Sequence, residues 1–296
     1  MSMKSYDDEA PLGIAPASES WPRSALHDIL VLASDHAACP TPAMEVGGGL
    51  AVHHQAALSV CMFDARNPMV RRHEPSVVGL LEESDRMPWA PAGTFSFTSW
   101  ARGLALERAH LCLPRATLDE AAKELAPWHD MIVADRSVLQ SVADPGLLAG
   151  PLHRSQLPWL IVPPDPSGTL DLTSVAIAWD GSAPATRAFK RALPMIQMAR
   201  RVHVFDGSDT SYIDETGIPV MTPMAYLKDR GVAVDLHRIS GHGQGAAERL
   251  VKAVRQAHIG LLVMGAYGRS PLREAIFGGV TRHVLAQVDM AVWVAC

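Results

Sequence analysis

Short apolar runs rich in β-formers alternate with helical patterns along this chain, and the whole order occurs twice. In the second half Ser174–Trp179, Val202–Phe205, Val232–Ile239, Leu261–Met264 and Met290–Ala295 read as strands. Between them lie helical stretches over Ala183–Ala199, Met224–Asp229 and Ala246–Ala257. The first of these places Ala188, Ala192, Ile196 and Ala199 on one face, and Pro194 inside it predicts a kink or an early stop. The first half follows the same order more loosely, with strands at Asp28–Ala33, Leu58–Phe63, Ala109–Leu113, Met131–Ala134 and Trp159–Val162. Thr117 and Glu120 stand at capping-box spacing before a helix over Leu118–Trp128. Strand–helix alternation of this kind implies parallel, doubly wound sheets with right-handed crossovers. A period of about 145 residues marks a duplicated domain and not a solenoid.

The length suits that reading, since 296 residues exceed one ordinary domain. The expected division is a disordered acidic tail over residues 1–23, a first domain over 24–165 and a second over 170–296. Pro163 to Gly168 supplies the linker. An apolar content of 48% is enough for ordinary cores, and a net charge of −5 gives nucleic acid no basic surface to grip. No run approaches the ~18 apolar residues of a membrane span. The N-terminus lacks the apolar core of a signal peptide. Cys39, Cys61, Cys112 and Cys296 form no C-x-x-C pair. That argues against a disulfide framework or zinc ribbon and for a reduced, cytoplasmic setting.

The chemistry concentrates near the end, in LLVMGAYGRSPLREAIFGGVTRHVL. An apolar strand stops at Gly265, Gly268 follows, then Gly278 and Gly279, and a helix begins with Val280. Glycines let backbone approach a ligand closely, exposed N–H groups donate, and a helix N-terminus favours negative charge, so the pattern suits a phosphate. The same glycines also suit a loop that merely turns. Asp180, after the first strand of this half, reads either as a ligand contact or as a helix cap or turn residue.

Two βα domains, an Asp closing strand one and G-x2-G-x9-G near the end resemble the universal stress protein family in its tandem form, over roughly residues 25–296. The likeness is carried mainly by Asp180-Gly181-Ser182, His203-Val204, Gly265, Gly268 and Gly278. It implies an α/β fold of two repeated doubly wound five-stranded parallel-sheet domains, adenine nucleotide alpha hydrolase-like, with strand order 3-2-1-4-5. It also implies that the fifth strands, Trp159–Val162 and Ala291–Ala295, pair with each other. The family suggests a cytoplasmic, stress-linked protein, a homodimer of tandem chains, that binds ATP or another adenine nucleotide with Mg. By resemblance, Asp180 would lie near adenine or ribose, and Val204, taken as the end of strand two, would touch adenine through its backbone. Gly265, Gly268, Gly278, Gly279 and Val280 would shape the phosphate loop, with Arg269, Thr281 and Arg282 as further phosphate contacts. The family pattern calls for Ser or Thr where this chain has Gly279. A lost hydrogen bond to a charged group, about 1.5–3 kcal/mol, weakens binding roughly ten- to a hundred-fold.

In the first half the corresponding strand runs into Ala134-Asp135-Arg136-Ser137. Asp135 sets a negative charge where phosphate would lie, and Gly146 and Gly150 fall at the wrong spacing, so this half reads as degenerate although Asp35 remains. Gly241-His242-Gly243-Gln244-Gly245 lacks the rest of a phosphate motif and reads as a strand-to-helix turn. Gly47-Gly48-Gly49 reads as a bend or a close helix contact. His53 and His54 diverge by ~100° on a helix and share no metal easily. Arg71-Arg72-His73 reads as a solvated loop, and no G-x-S-x-G elbow is present. Three functions follow: a regulatory nucleotide-binding stress protein with at most slow ATP hydrolysis, a ligand-free scaffold of the same fold, and an adenylyl- or sulfur-transferring enzyme. The last lacks a visible nucleophile.

Overall fold

The computed structural model describes residues 26–34, 40–63, 78–79, 95–114, 116–140, 149–164, 170–208, 221–239, 243–266 and 279–296. Their eleven strands form one continuous sheet. The first half contributes β1 (Asp28–Ser34), β2 (Ala57–Phe63), β3 (Val78–Gly79), β4 (Ala109–Cys112), β5 (Met131–Asp135) and β6 (Trp159–Val162). The second contributes β7 (Ser174–Trp179), β8 (Arg201–Asp206), β9 (Val234–Arg238), β10 (Leu261–Gly265) and β11 (Ala291–Ala295). The spatial order is β3-β4-β2-β1-β5-β6-β11-β10-β7-β8-β9. Each half thus holds five parallel strands in the order 3-2-1-4-5. β3 is an addition that the sequence pattern did not announce, a two-residue antiparallel edge on β4.

Both faces of the inner strands are apolar, as a parallel sheet covered on both sides requires. Along β1, Ile29, Val31 and Ala33 enter one core while Leu30 and Leu32 enter the other. Each core runs through both halves of the sheet without a break. One face carries α1 (Pro42–His54), α2 (Phe97–Gly103), α6 (Ala183–Arg191), α7 (Leu193–Ile196) and α8 (Pro223–Lys228). The other carries α3 (Leu118–Leu125), α4 (Arg136–Gln140), α5 (Ala149–Ser155), α9 (Gly243–Gln256) and α10 (Gly279–Gln287).

Local chemistry sets the helix boundaries. The Thr117 hydroxyl accepts from the Glu120 N–H at 3.2 Å, and the Glu120 carboxylate accepts from the Thr117 N–H at 2.9 Å, completing the capping box. α3 ends at Leu125, and Pro127 sits in a 3-10 turn over Ala126–Trp128. The helix expected over Ala183–Ala199 is two helices, because Pro194 cannot donate into the ladder and is accommodated in the first turn of α7. Gly47 and Gly48 serve close packing: a Cβ on Gly47 would lie 2.5 Å from Val31 Cγ2, and one on Gly48 2.7 Å from Leu104 Cδ1.

The fifth strands pair antiparallel, Val292 with Ile161, Trp293 with Leu160 and Val294 with Trp159. β5 pairs Ile132 with Trp159, and β10 pairs Leu262 with Val292, so Trp159 and Val292 are equivalent positions. The seam therefore has a local two-fold through Leu160 and Trp293. Arg136 tightens it. Its buried guanidinium donates to the carbonyl of Val288 and, at 2.9 Å, to that of Met290, both in the turn between α10 and β11.

Candidate functional site

Open parallel sheets bind ligands beyond the carboxyl ends of the strands, where strand order reverses. In the second half that point lies between β7 and β10, where two chain connections diverge to opposite faces. Three strand ends meet there. β7 hands on to Asp180, β8 closes at Asp206 in register with Trp179, and β10 closes at Gly265.

Asp180 is exposed, and its Oδ1 accepts from the Ser182 N–H at 2.9 Å. Gly181 between them has φ 76°, a conformation that glycine adopts without a Cβ penalty. The Ser182 hydroxyl then accepts from the Ala185 N–H at 3.2 Å and starts α6. This is the turn-and-cap arrangement that the sequence left open as an alternative role for Asp180. Gly265 is fixed by a close approach: a Cβ there would lie 2.4 Å from the Ala185 nitrogen and 2.7 Å from the Pro184 carbonyl carbon. The first turn of α6 rests directly on the end of β10, so the partial positive charge of a helix N-terminus sits at the switch point.

Asp206 lines the same rim. It is buried, its Oδ1 accepts from the Ser208 N–H at 2.9 Å and hydroxyl at 2.6 Å, and its Oδ2 pairs with Arg238 at 2.7 Å. Val204 does not stand at the strand end. β8 continues two residues beyond it, and Val204 is 1% exposed, registered between Ile177 and Leu236. The apolar run stops at Phe205, whereas the ladder pairing goes on to Asp206. Gly279 and Val280 begin α10, Val280 is half-buried, and Thr281 is buried, so no exposed threonine hydroxyl stands at that position. Arg282 lies in the same helix. Gly268, Arg269 and Gly278 lie outside the described residues, as do Asp35, Cys39, Gly146, Gly241, Arg71 to His73 and the tail.

The first half fills the same junction differently. Ile29 pairs with Met131 and Val175 with Leu261, so Ser34 occupies the position of Asp180, and Asp135 that of Gly265. Asp35 is therefore one residue beyond the position that matches Asp180. Asp135 is buried, and its Oδ1 accepts from the Ala43 N–H at 2.8 Å, in the first turn of α1. Burial pushes its carboxyl above the usual range, against hydrogen bonds from Thr41, Ala43 and Ser34 that pull it down. The sequence reading made Asp135 a charge that repels phosphate. In the fold its carboxyl itself occupies the N-terminus of α1.

A cluster on β8 and β9 is not legible in the sequence. His203 Nδ1 lies 3.1 Å from His237 Nε2, Asp235 lies 3.7 Å from His203, and Phe205 stacks on His237 with centroids 4.6 Å apart. Burial lowers the His203 pKa, with Asp235 raising it and His237 lowering it. The only signal was polar residues at alternate positions of two runs 34 residues apart, which cross-strand register alone brings together. Among the described residues no three His, Cys, Asp or Glu side chains are grouped to hold a metal, and no helix is long and apolar enough to cross a membrane.

Residues 172–295 match the Universal stress protein family. A search of curated proteins found no match. Among solved structures, a universal stress protein from Archaeoglobus fulgidus DSM 4304 is 14% identical at a TM-score of 0.56, over 90% of this chain and 95% of that one. A functionally unknown protein from Pseudomonas aeruginosa PAO1 is 12% identical at a TM-score of 0.56, over 92% of each chain. These two extend the likeness in fold to the first half. A universal stress protein family protein from Arabidopsis thaliana, solved with AMP bound, is 14% identical over 42% of this chain and 90% of that one, at a TM-score of 0.29.

Proposed function

We propose that the universal stress protein domain at residues 172–295 binds one adenine nucleotide at the carboxyl ends of β7 and β10, in a cytoplasmic protein of the stress response. The observation that carries this reading is the contrast at one register position. Gly265 leaves the N-terminus of α6 at the switch point without an internal acceptor from β10, while the Asp135 carboxyl fills that position in the first half. Asp180 would meet adenine or ribose. Gly265, Gly268, Gly278, Gly279 and Val280 would wrap the phosphates, with Arg269 and Arg282 offsetting their charge and Mg accompanying ATP. Val204 serves as core beneath the site. The first half acts as a nucleotide-free platform fused to the binding half, and tandem chains pair as a homodimer.

A second reading, a ligand-free scaffold of the same fold, draws support from two residues. Gly279 offers no hydroxyl, and that of Thr281 is buried. Titration calorimetry with ATP on the full chain separates the two: the proposal expects one site per chain. Gly268→Val should abolish the heat by placing a branched side chain where backbone must approach phosphate. Gly279→Ser should tighten binding by no more than about 1.5–3 kcal/mol, the value of one charge-assisted hydrogen bond. Thermal shift gives the same answer cheaply, since ligand at about a hundred times its Kd stabilises by about 2.7 kcal/mol. No shift in either the native chain or Gly279→Ser at millimolar ATP selects the scaffold. Two equivalent sites refute the assignment to one half.

A further inference from the structure

Cys61 and Cys112 are far apart in sequence but are direct register partners on the neighbouring parallel strands β2 and β4. Adjacent strands lie ~4.8 Å apart, inside the ~4.4–6.8 Å Cα span that a disulfide bridges. Both side chains point to the same core face. The equivalent pair in the second half is Phe205 and His237, whose rings are in contact, so this position brings side chains together in both halves. Cys61 is buried, Cys112 is half-buried, and both are free thiols. The two are hydrogen-bonded to each other. With Cys61 donating, the Cys112 thiol is held below its ordinary range, while the same hydrogen bond, then burial and the neighbouring thiolate, push Cys61 up. An accessible, easily ionised thiol beside a protonated partner is the arrangement of a redox-responsive pair.

We propose that Cys112 and Cys61 form a peroxide-responsive pair, with Cys112 as the attacking thiol and Cys61 as the resolving one. The Cys112 thiolate attacks the O–O bond of a hydroperoxide. An S–O bond forms, the O–O bond breaks, and the departing oxygen takes a proton and leaves as alcohol or water. Cys61 then gives up its proton and attacks the Cys112 sulfur. The S–S bond forms, the S–O bond breaks, and hydroxide leaves with that proton as water. Two thiols are oxidised and one peroxide is reduced. The product ties β2 to β4 close to the outer edge of the sheet. It is a switchable bond between two thiols that are free in the structure. It does not depend on nucleotide binding in the other half.

The test is peroxide titration of the reduced full chain, followed by alkylation and mass spectrometry. The expected result is loss of two alkylatable thiols per chain, a mass lower by two hydrogens, and a linked peptide pair holding Cys61 and Cys112. A Cys39→Ser background keeps that map unambiguous, because Cys39 and Cys61 share one tryptic peptide. Cys61→Ala should leave Cys112 trapped as a sulfenic acid that dimedone labels, and Cys112→Ala should leave Cys61 unreacted. If the native chain keeps Cys61 fully alkylatable while Cys112 is over-oxidised, or if the linked peptide joins Cys112 to Cys296, the proposal is overturned. Mapping the native chain decides the matter even where a variant folds poorly.

Discussion

Gly265→Ala tests whether packing or ligand demands this glycine. The added methyl would lie 2.4 Å from the Ala185 nitrogen, 2.7 Å from the Pro184 carbonyl carbon and 2.9 Å from the Ala185 Cα, all backbone atoms. Ordinary contact begins near 3.4 Å, so α6 would have to move off the end of β10 by roughly an ångström. Overpacking of this kind costs about 1–3 kcal/mol. At ~2–4 °C per kcal/mol for a chain of this size class, the melting temperature should fall by about 2–12 °C with no nucleotide present. Gly49→Ala is the matched control. A Cβ there meets nothing within 4 Å, and the residue lies inside α1, so it should be neutral or gain up to about 1 kcal/mol. Thermal unfolding of the two ligand-free variants beside the native chain is the whole experiment. If Gly265→Ala melts with the native protein, the close approach of α6 is not a constraint, and the glycine must be explained by its ligand alone.

Asp135→Asn removes the titration of a buried carboxyl while keeping an oxygen for the Ala43 N–H. Because folding raises this pKa, the group's contribution is fully present below the unfolded value near pH ~3.9 and is lost as pH rises through the folded value. The native chain should therefore lose melting temperature relative to Asp135→Asn as pH rises from about 4, and curves that stay parallel from pH 4 to 8 would refute the assignment. Arg136→Met leaves the Val288 and Met290 carbonyls without their donor at the seam. It should cost about 2–4 kcal/mol in urea unfolding, and a loss under 0.5 kcal/mol would show that the pairing of β6 with β11 carries the seam by itself.

The strands are legible because short apolar runs, most of four to six residues, have few other uses in a chain with helical stretches between them. Their carboxyl ends are not. Ser34, Asp135, Asp206 and Gly265 all belong to strands, yet each is the first non-apolar residue after its run, so hydrophobicity ends one residue before the ladder does. Those are the positions that border the site, and Val204 lies two residues short of them. Asp135 is only half legible for a related reason. Sequence displays its charge but not the helix N-terminus that the fold sets 92 residues away at Ala43. Thr117 with Glu120, and Pro194, are legible because capping and proline geometry are local. β3 has two residues and no pattern to detect. The His203–His237 contact exists only once β8 and β9 are in register.

The antiparallel seam at Leu160 and Trp293 has an evolutionary corollary. Two separate copies meeting at this edge would share one gene, so every change at a strand end would be made twice, and their association would weaken on dilution. Joined in one chain, the partners find each other at a local concentration that dilution does not touch. Either half is then free to accumulate changes that the other does not copy. An aspartate at 135 against a glycine at 265, or a thiol pair at 61 and 112 against a stacked Phe205 and His237, are differences between the halves that one fused chain keeps side by side.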